Sequence, residues 1–451
     1  MAKQKVIIIG AGLSGSLLVT YFAKRGIEAD VYESRGDMRN VELSAGRSIN
    51  LALSDRGIAA LREIGMDEYM LAEAVPMHGR MIHATSGQTK LLPYSGRQGE
   101  YINSISRSGL NVALINEAEK HAGVKFYFNE KCVGFDCETG EAQIENAETG
   151  EKRNIKGDTL IATDGAGSAV RKAMLAGGLN RFNFEQKFLE HGYKELSIPP
   201  GDKGNFQMEK NALHIWARGE FLMIALPNFD GSFTCTLFLA FKGENSFEQL
   251  KDEKSLLEFF QIYFPDSVPL MPTLAEDFFT NPTGNLGTIK CYPWNVGGKS
   301  LLLGDSAHAV VPFYGQGMNA SFEDCRVLNG LIETHGTDWE TVFNEYGKQR
   351  KENTDAIADM AEENFYEMRD AVANPIFVRK RELETRLEHA FSDYFSKYSM
   401  VTFREDLPYS TAKQKGNAQD KLLMKICTEV ENISEIDLNE VLEKVKNLTQ
   451  S

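Results

Sequence analysis

An α/β architecture, with a Rossmann-like domain, an antiparallel-sheet domain and a helical C-terminal region, is predicted by three stretches of this 451-residue chain. The first is "VIIIGAGLSG", Val6 to Gly15, a β-branched run that ends in Gly-x-Gly-x-x-Gly. The second runs through "ALHIWARGEFLMIALP", the turn "NFDGS" and "FTCTLFLAF", where apolar alternation across a turn predicts antiparallel pairing with one apolar face. The third is everything after residue 338, which is charged and helical in pattern and interrupted by Pro375.

Val6 to Ile9 is apolar throughout, the pattern of a strand covered on both faces. A helix to about Arg25 and a second strand, "IEADVYE", complete a βαβ unit. Gly10 makes the tight turn, Gly12 lets backbone approach a pyrophosphate, and Gly15 lets helix and strand pack closely. The helix N-terminus then offers N–H groups to the phosphates. Glu33 stands 18 positions after Gly15, where a carboxylate accepts from ribose hydroxyls and repels a 2′-phosphate. The resident nucleotide is therefore expected to be FAD or NAD, not NADP.

Between 40 and 100, "GRSINLALSDRGIAALREIG" predicts a loop, a short strand and a helix, and "MIHATSGQTKLLPYSG" a β-hairpin. A helix ending near Gly123 precedes another strand, and "GDTLIATDGAGSAVRKAML" gives a strand, Asp164-Gly165 and a helix. A separate NADPH-binding fold at this second glycine pair is the competing reading; it lacks a third glycine at the required place and a following acid-ended strand. "SLLLGD" is again a strand, ended by Asp305, and a glycine-bearing loop from Ala309 to Gly317 leads to a helix opened by Met318-Asn319. A polar helix over about 425–448 closes the chain. The domains are drawn as 1–180 with 285–335 for nucleotide binding, including a substrate-side hairpin near 76–102, then 181–284 for the antiparallel sheet and 336–451 for the helical region.

A net charge of −15 argues against nucleic acid or an anionic membrane surface as partner. Six cysteines with no C-x-x-C pair and no histidine at ligand spacing suggest neither a metal site nor a disulfide framework, and a reducing compartment is expected. The N-terminal apolar run has glycines where a signal peptide stays apolar, and no run reaches the roughly 18 apolar residues that span a bilayer. A cytoplasmic protein is the expectation.

The ordered set Gly-x-Gly-x-x-Gly, Asp164-Gly165 and Gly304-Asp305 resembles the flavoprotein aromatic hydroxylases, the single-component FAD monooxygenases. The narrower segments "GRSINLALS", "PMHGRMIH", "LPYSG", "HGYKEL", "VVPFYGQGMNASFEDC", "NFYEMR" and "YSMVTF" are similar to members acting on an aromatic amino acid. The resemblance implies bound FAD, transient NADPH and O2, with flavin-centred chemistry and no acid or base catalyst assigned to the protein. It implies FAD contacts from Ser14, Glu33, Ala52, Arg107, Asp164, Asp305, Gly317, Met318 and Asn319, and a backbone contact at Cys132. It pairs Arg80 with Tyr94 on a substrate carboxylate, with Asn364 and Tyr398 completing the grip. Such a grip is chemically sound, because a guanidinium and phenol hydroxyls are charge-assisted donors to a carboxylate. Leu213, Ile224, Leu226, Phe238 and Phe313 lie where they could wall an aromatic ring. Glu367 is either a substrate-orienting group or an exposed helix charge, and a structural role is favoured for His308. Animal members carry a hydrophobic C-terminal anchor, whereas this chain ends in the polar "NISEIDLNEVLEKVKNLTQS", so membrane attachment is not implied. Two alternatives stand: an FAD hydroxylase of a phenolic or polyketide substrate, and a flavin-binding protein without turnover.

Overall fold

The computed structural model describes residues 4–40, 50–177, 181–370 and 374–449. Part of the loop expected before the strand at residue 50, and the domain edge at 180, lie outside the described residues.

The first sheet has six strands in the order Asn295–Val296, Ser300–Leu302, Thr159–Ala162, Lys5–Ile9, Glu28–Tyr32 and Val124–Tyr127. All neighbours are parallel except the first pair. Lys5–Ile9 sits inside the sheet, and its residues from Val6 onward are buried, as an all-apolar strand must be. The carboxyl ends of four parallel strands reach the same edge, which collects Gly10, Glu33, Asp164 and Asp305 there. Helices Leu13–Lys24, Arg107–Glu119 and Gly317–His335 cover the sheet and pack on one another. The expected βαβ opening is thus present, with helix and strand bounds within a residue or two of those read from the sequence.

The second sheet is larger than expected. Its seven strands run Gly284–Tyr292, Asn183–Ile198, Phe233–Ala240, Leu222–Pro227, Ala212–Ala217, Gly79–His83 and Thr89–Pro93. The hairpin near residue 80 is an integral edge of this sheet, joined by the parallel pairing of Gly79–His83 with Ala212–Ala217. This pairing sets Arg80 opposite Leu213. One apolar face was expected, but Phe233 to Leu239 is buried on both sides. Thr234, Thr236 and Phe238 face a cavity, while Cys235, Leu237 and Leu239 join a core closed by helices Glu253–Tyr263 and Leu274–Thr280.

The long helix Trp339–Asp370 touches both sheets, and the helix Pro375–Ala390 packs on the C-terminal helices. The closing helix also differs from expectation. Tyr409–Glu429 ends before residue 430, and Leu438–Thr449 is a second helix after a single turn at Ile433–Glu435. Both pack their apolar residues with Leu383 and Leu387 in a separate small core. Among the described residues no helix is long and apolar enough to cross a membrane.

On the far side of the second sheet His83 and His214 share a proton-ordered chain. The Glu209 carbonyl can only accept, so His214 donates to it through Nε2 (2.7 Å) and accepts through Nδ1 from His83 Nε2 (2.8 Å). His83 Nδ1 pairs with Asp266 (2.7 Å), which also receives the Trp216 indole N–H. Burial holds the pKa of His214 down to about 4 from an ordinary 6.5. Between these values the unfolded chain binds the extra proton and the folded chain does not. Stability therefore falls as pH drops through that window, by up to about 3 kcal/mol. The expected outcome is a melting temperature that declines between pH 6.5 and 4.5, with a flatter profile in His214→Phe, measured by calorimetry on both proteins.

Candidate active site

A cavity of about 1170 Å³ runs from the edge of the parallel sheet to the inner face of the antiparallel one. Gly10, Gly12, Ser14, Glu33, Ala52, Arg107, Cys132, Asp164, Asp305, Gly317 and Met318 line its nucleotide end. Arg80, Tyr94, Leu213, Ile224, Leu226, Phe238, Phe313 and Tyr398 line the other. Gly15, Asn319, Asn364 and Glu367 are not on the wall.

At the nucleotide end the residues fit an FAD. Gly10 has φ +100, and a Cβ there would lie 2.6 Å from the Thr163 carbonyl oxygen. At Gly15 a Cβ would overlap the Gly10 carbonyl oxygen, so the helix can follow the turn this closely only without a side chain. By contrast, a Cβ on Gly12 would meet nothing within 4 Å, which leaves open space over the start of helix Leu13–Lys24 for a diphosphate. Glu33 accepts the Ala11 N–H (2.8 Å) and the Arg35 side chain (2.8 Å). Burial alone would raise its carboxyl, but these hydrogen bonds and the Arg35 charge outweigh that and hold it below its ordinary value.

Asp305 lies deep in the molecule yet opens to the cavity, and its carboxyl is raised by burial, with Arg107 and His308 opposing. Asp164 is turned inward: its oxygens accept from the Ala169 N–H (2.7 Å) and the Ser306 hydroxyl (3.0 Å), tying the two Gly-Asp-type motifs together. Asn319 likewise acts behind the wall. Its carboxamide donates to the Ala52 carbonyl (2.8 Å) and the Gly315 carbonyl (2.9 Å) and accepts from Ser54 N–H (3.0 Å), so it fastens strand Asn50–Leu53 to the glycine loop. The Cys132 thiol is pushed up to about 12, chiefly by burial, and stays protonated.

His308 is buried against Asp324 (2.6 Å), which also receives Arg350 (2.7 Å). Burial raises the Asp324 carboxyl, but His308 and Arg350 reverse this and bring it to about 2. Glu323 joins Arg350 to Arg56, whose guanidinium also donates to backbone carbonyls of residues 401 and 404. His308 is thus part of the scaffold under the loop. Arg56, Asp324 and Arg350 were not singled out in the sequence, where isolated charges in helices look like solvated faces.

The opposite end gathers three tyrosines. Tyr94 and Tyr398 stack with ring centroids 5.1 Å apart and planes 9° apart, and Tyr314 stacks on the other side of Tyr398 at 5.6 Å. The Arg80 guanidinium lies over Tyr398 (4.9 Å) and Tyr94 (5.7 Å). Arg80 Nε and the Tyr94 hydroxyl are buried with no hydrogen-bond partner, two donors that call for an acceptor. Burial keeps both Tyr94 and Tyr398 above the ordinary phenol value, so they remain donors. Asn364 donates to the Phe313 carbonyl (2.6 Å) and so holds the loop that carries Phe313. Glu367 is half-buried with its carboxylate 4.0 Å from Arg80. Tyr314, Met368 and Tyr193 also line the cavity but were not singled out; Tyr314 could have been found from its place inside "PFYGQG", whereas Tyr193 needed the sheet register.

A family model described as the FAD binding domain matches residues 3–189 and 285–361, leaving out most of the antiparallel sheet. A kynurenine 3-monooxygenase of Myxococcus xanthus is 45% identical over 446 residues, covering 99% of this chain and 95% of the relative. One of Dictyostelium discoideum is 42% identical over 453 residues, covering 97% and 96%. The chain belongs to the kynurenine 3-monooxygenase family. Solved structures share the fold at lower identity: 2-methyl-3-hydroxypyridine-5-carboxylic acid oxygenase in its tetrameric form (TM-score 0.66, 18% identity, 92% of this chain and 97% of that one), and p-nitrophenol 4-monooxygenase from Pseudomonas putida (TM-score 0.64, 17% identity, 86% and 95%). In this member of the kynurenine 3-monooxygenase family the expected α/β fold class and FAD-binding domain are both present.

Because a Gly15 side chain would collide with backbone, Gly15→Ala is expected to force helix Leu13–Lys24 off the turn, costing about 1–3 kcal/mol. The purified variant is expected to lose most of its FAD, read as the 450-nm absorbance per protein.

Proposed function

We propose that this protein hydroxylates L-kynurenine at ring carbon 3, giving 3-hydroxy-L-kynurenine at the expense of NADPH and O2, a step of tryptophan catabolism. The observation that carries this reading is the pair of unpartnered buried donors, Arg80 Nε and Tyr94 OH, at the end of the cavity where Leu213, Ile224, Leu226, Phe238 and Phe313 also line the wall. A buried donor without a partner costs about 1–3 kcal/mol, which a ligand carboxylate would recover on binding.

FAD bound at the other end would supply the redox chemistry, accepting hydride from NADPH and activating O2 for transfer of one oxygen atom. The residues fit to hold it are Gly10, Gly12, Ser14, Glu33, Ala52, Arg107, Cys132, Asp164, Asp305, Gly317 and Met318, with Gly15 and Asn319 supporting them from behind. The chain's own part is to bind, orient and exclude water. Arg80 would take the carboxylate with charge assistance, and the protonated Tyr94 and Tyr398 hydroxyls would donate to it. Leu213, Ile224, Leu226, Phe238 and Phe313 would then lay the aromatic ring toward the nucleotide end and shed water from it. Asn364 acts through the Phe313 carbonyl rather than by reaching into the cavity. Glu367, 4.0 Å from Arg80 and off the cavity wall, would act on the substrate through the guanidinium rather than by touching it. The ring amine enriches its ortho carbon, so the reaction needs no protein base. This reading assigns none.

Two outcomes are expected. In air, L-kynurenine strongly stimulates NADPH oxidation by the yellow protein, with matching 3-hydroxykynurenine by chromatography; peroxide without hydroxylated product would instead make kynurenine an effector of a hydroxylase of another aromatic compound. Arg80→Ala raises the KM for kynurenine by a factor of roughly ten to a hundred, the loss of about 1.5–3 kcal/mol for a charged hydrogen bond, while FAD content stays at the parent level.

A further inference from the structure

Tyr94 and Tyr398 come from distant parts of the chain, one at the end of the sheet hairpin and the other on the short helix Lys397–Thr402. Nothing in either local sequence fixes their stacking. One buried side chain touches both neighbourhoods.

Glu388, on helix Pro375–Ala390, is 4% exposed. Its Oε2 accepts the backbone N–H of Gly96 (2.9 Å), two residues after Tyr94. Its Oε1 accepts the backbone N–H of Ser396 (2.9 Å) and the hydroxyl of Ser399 (2.6 Å), which bracket Tyr398. Ser396 in turn caps the helix that carries Tyr398 by accepting the Ser399 N–H. All three groups on Glu388 are donors, so only a carboxylate satisfies them together.

The surroundings hold the same geometry. A Cβ at Gly96 would run into the Thr385 carbonyl oxygen and come within 3.1 Å of Glu388 Cβ, so the absence of a side chain lets the hairpin end lie on the helix. Arg97 reaches past Glu388, 3.8 Å from its Oε1, to donate to carbonyls of residues 391, 392 and 394. Its guanidinium lies 3.9 Å over the Phe395 ring.

We propose that Glu388 is a positioning residue: by gripping Gly96 on one side and Ser396 and Ser399 on the other, it sets the spacing of Tyr94 and Tyr398 around Arg80. It touches no ligand itself. The inference rests on the reading of Arg80, Tyr94 and Tyr398 as the carboxylate-binding group.

Glu388→Gln separates this role from bulk stability. The amide keeps its size and can still accept at Oε1 from Ser396 and Ser399, but its NH2 faces the Gly96 N–H and cannot accept from it. The holoenzyme is compared with the parent by hydrogen exchange of the segment around Gly96, FAD content, and steady-state kinetics with L-kynurenine. The expected result is at least about tenfold faster exchange at Gly96 and a KM about tenfold higher, with kcat within about twofold and FAD unchanged. Ser399→Ala, a milder cut on the Tyr398 side, is expected to move KM in the same direction by less, and it serves if the first variant folds poorly. Parent-like KM in both variants overturns the proposal, as does unchanged Gly96 exchange in Glu388→Gln. A parent protein that ignores L-kynurenine fails the substrate reading itself and takes this inference with it; a responsive parent with normal variants fails only the role of Glu388.

Discussion

How closely the chain turns between Ile9 and Leu13 governs the rest of the molecule. Gly10 must take a positive φ while lying against the Thr163 carbonyl, and Gly15 must let the helix graze the Gly10 carbonyl. Thr163 closes the contact by donating its hydroxyl to the carbonyls of Ile9 (2.9 Å) and Gly10 (2.8 Å). This crossing locks strand Thr159–Ala162 beside strand Lys5–Ile9 and sets the height of the sheet edge on which Glu33, Asp164 and Asp305 sit. The same crowding that leaves no room for a side chain at Gly15 leaves open space at Gly12.

The other half of the cavity depends on a sharing of strands. Gly79–His83 belongs by sequence to the nucleotide-binding half but pairs in the antiparallel sheet. Arg80 therefore faces the cavity while His83, on the opposite face, is held by Asp266 and His214. A sheet buried on both faces has little freedom to slip, because a one-residue shift would send Arg80 into the core and His83 into the cavity. The aromatic end is then completed by the helical C-terminal region, whose Tyr398 slides between Tyr94 and Tyr314.

Besides Arg80, Glu33 and Asp305 on the wall, a second set of charges lies buried behind it. His308, Asp324, Arg350, Glu323 and Arg56 form one connected cluster beneath the glycine loop. Removing one member would strand the others in a low-dielectric interior, at a cost of about 3–5 kcal/mol, whereas the intact set is close to neutral for stability. Its value is rigidity: it fixes the helix Gly317–His335 and so the Asn319 carboxamide that ties the loop to strand Asn50–Leu53.

The sequence by itself determined the βαβ opening, the order of the glycine and aspartate motifs, and the wall residues that sit on regular strands, because period-two and period-3.6 patterns and glycine turns are local properties of the chain. It could not say that the hairpin at Arg80 joins the second sheet, nor that the polar C-terminal stretch splits into two helices around Ile433–Glu435. It named Asn319, Asn364 and Asp164 as contacts; the two carboxamides hold backbone from behind the cavity wall, while Asp164 stands on the wall and also ties down the Ala169 N–H and the Ser306 hydroxyl. The tertiary structure alone decided these points, because strand partners, the direction of a carboxamide and the pairing of charges far apart in sequence follow from which faces are buried together. Tyr94 and Tyr398 lie about 300 residues apart in the chain and stack in space through a single buried carboxylate.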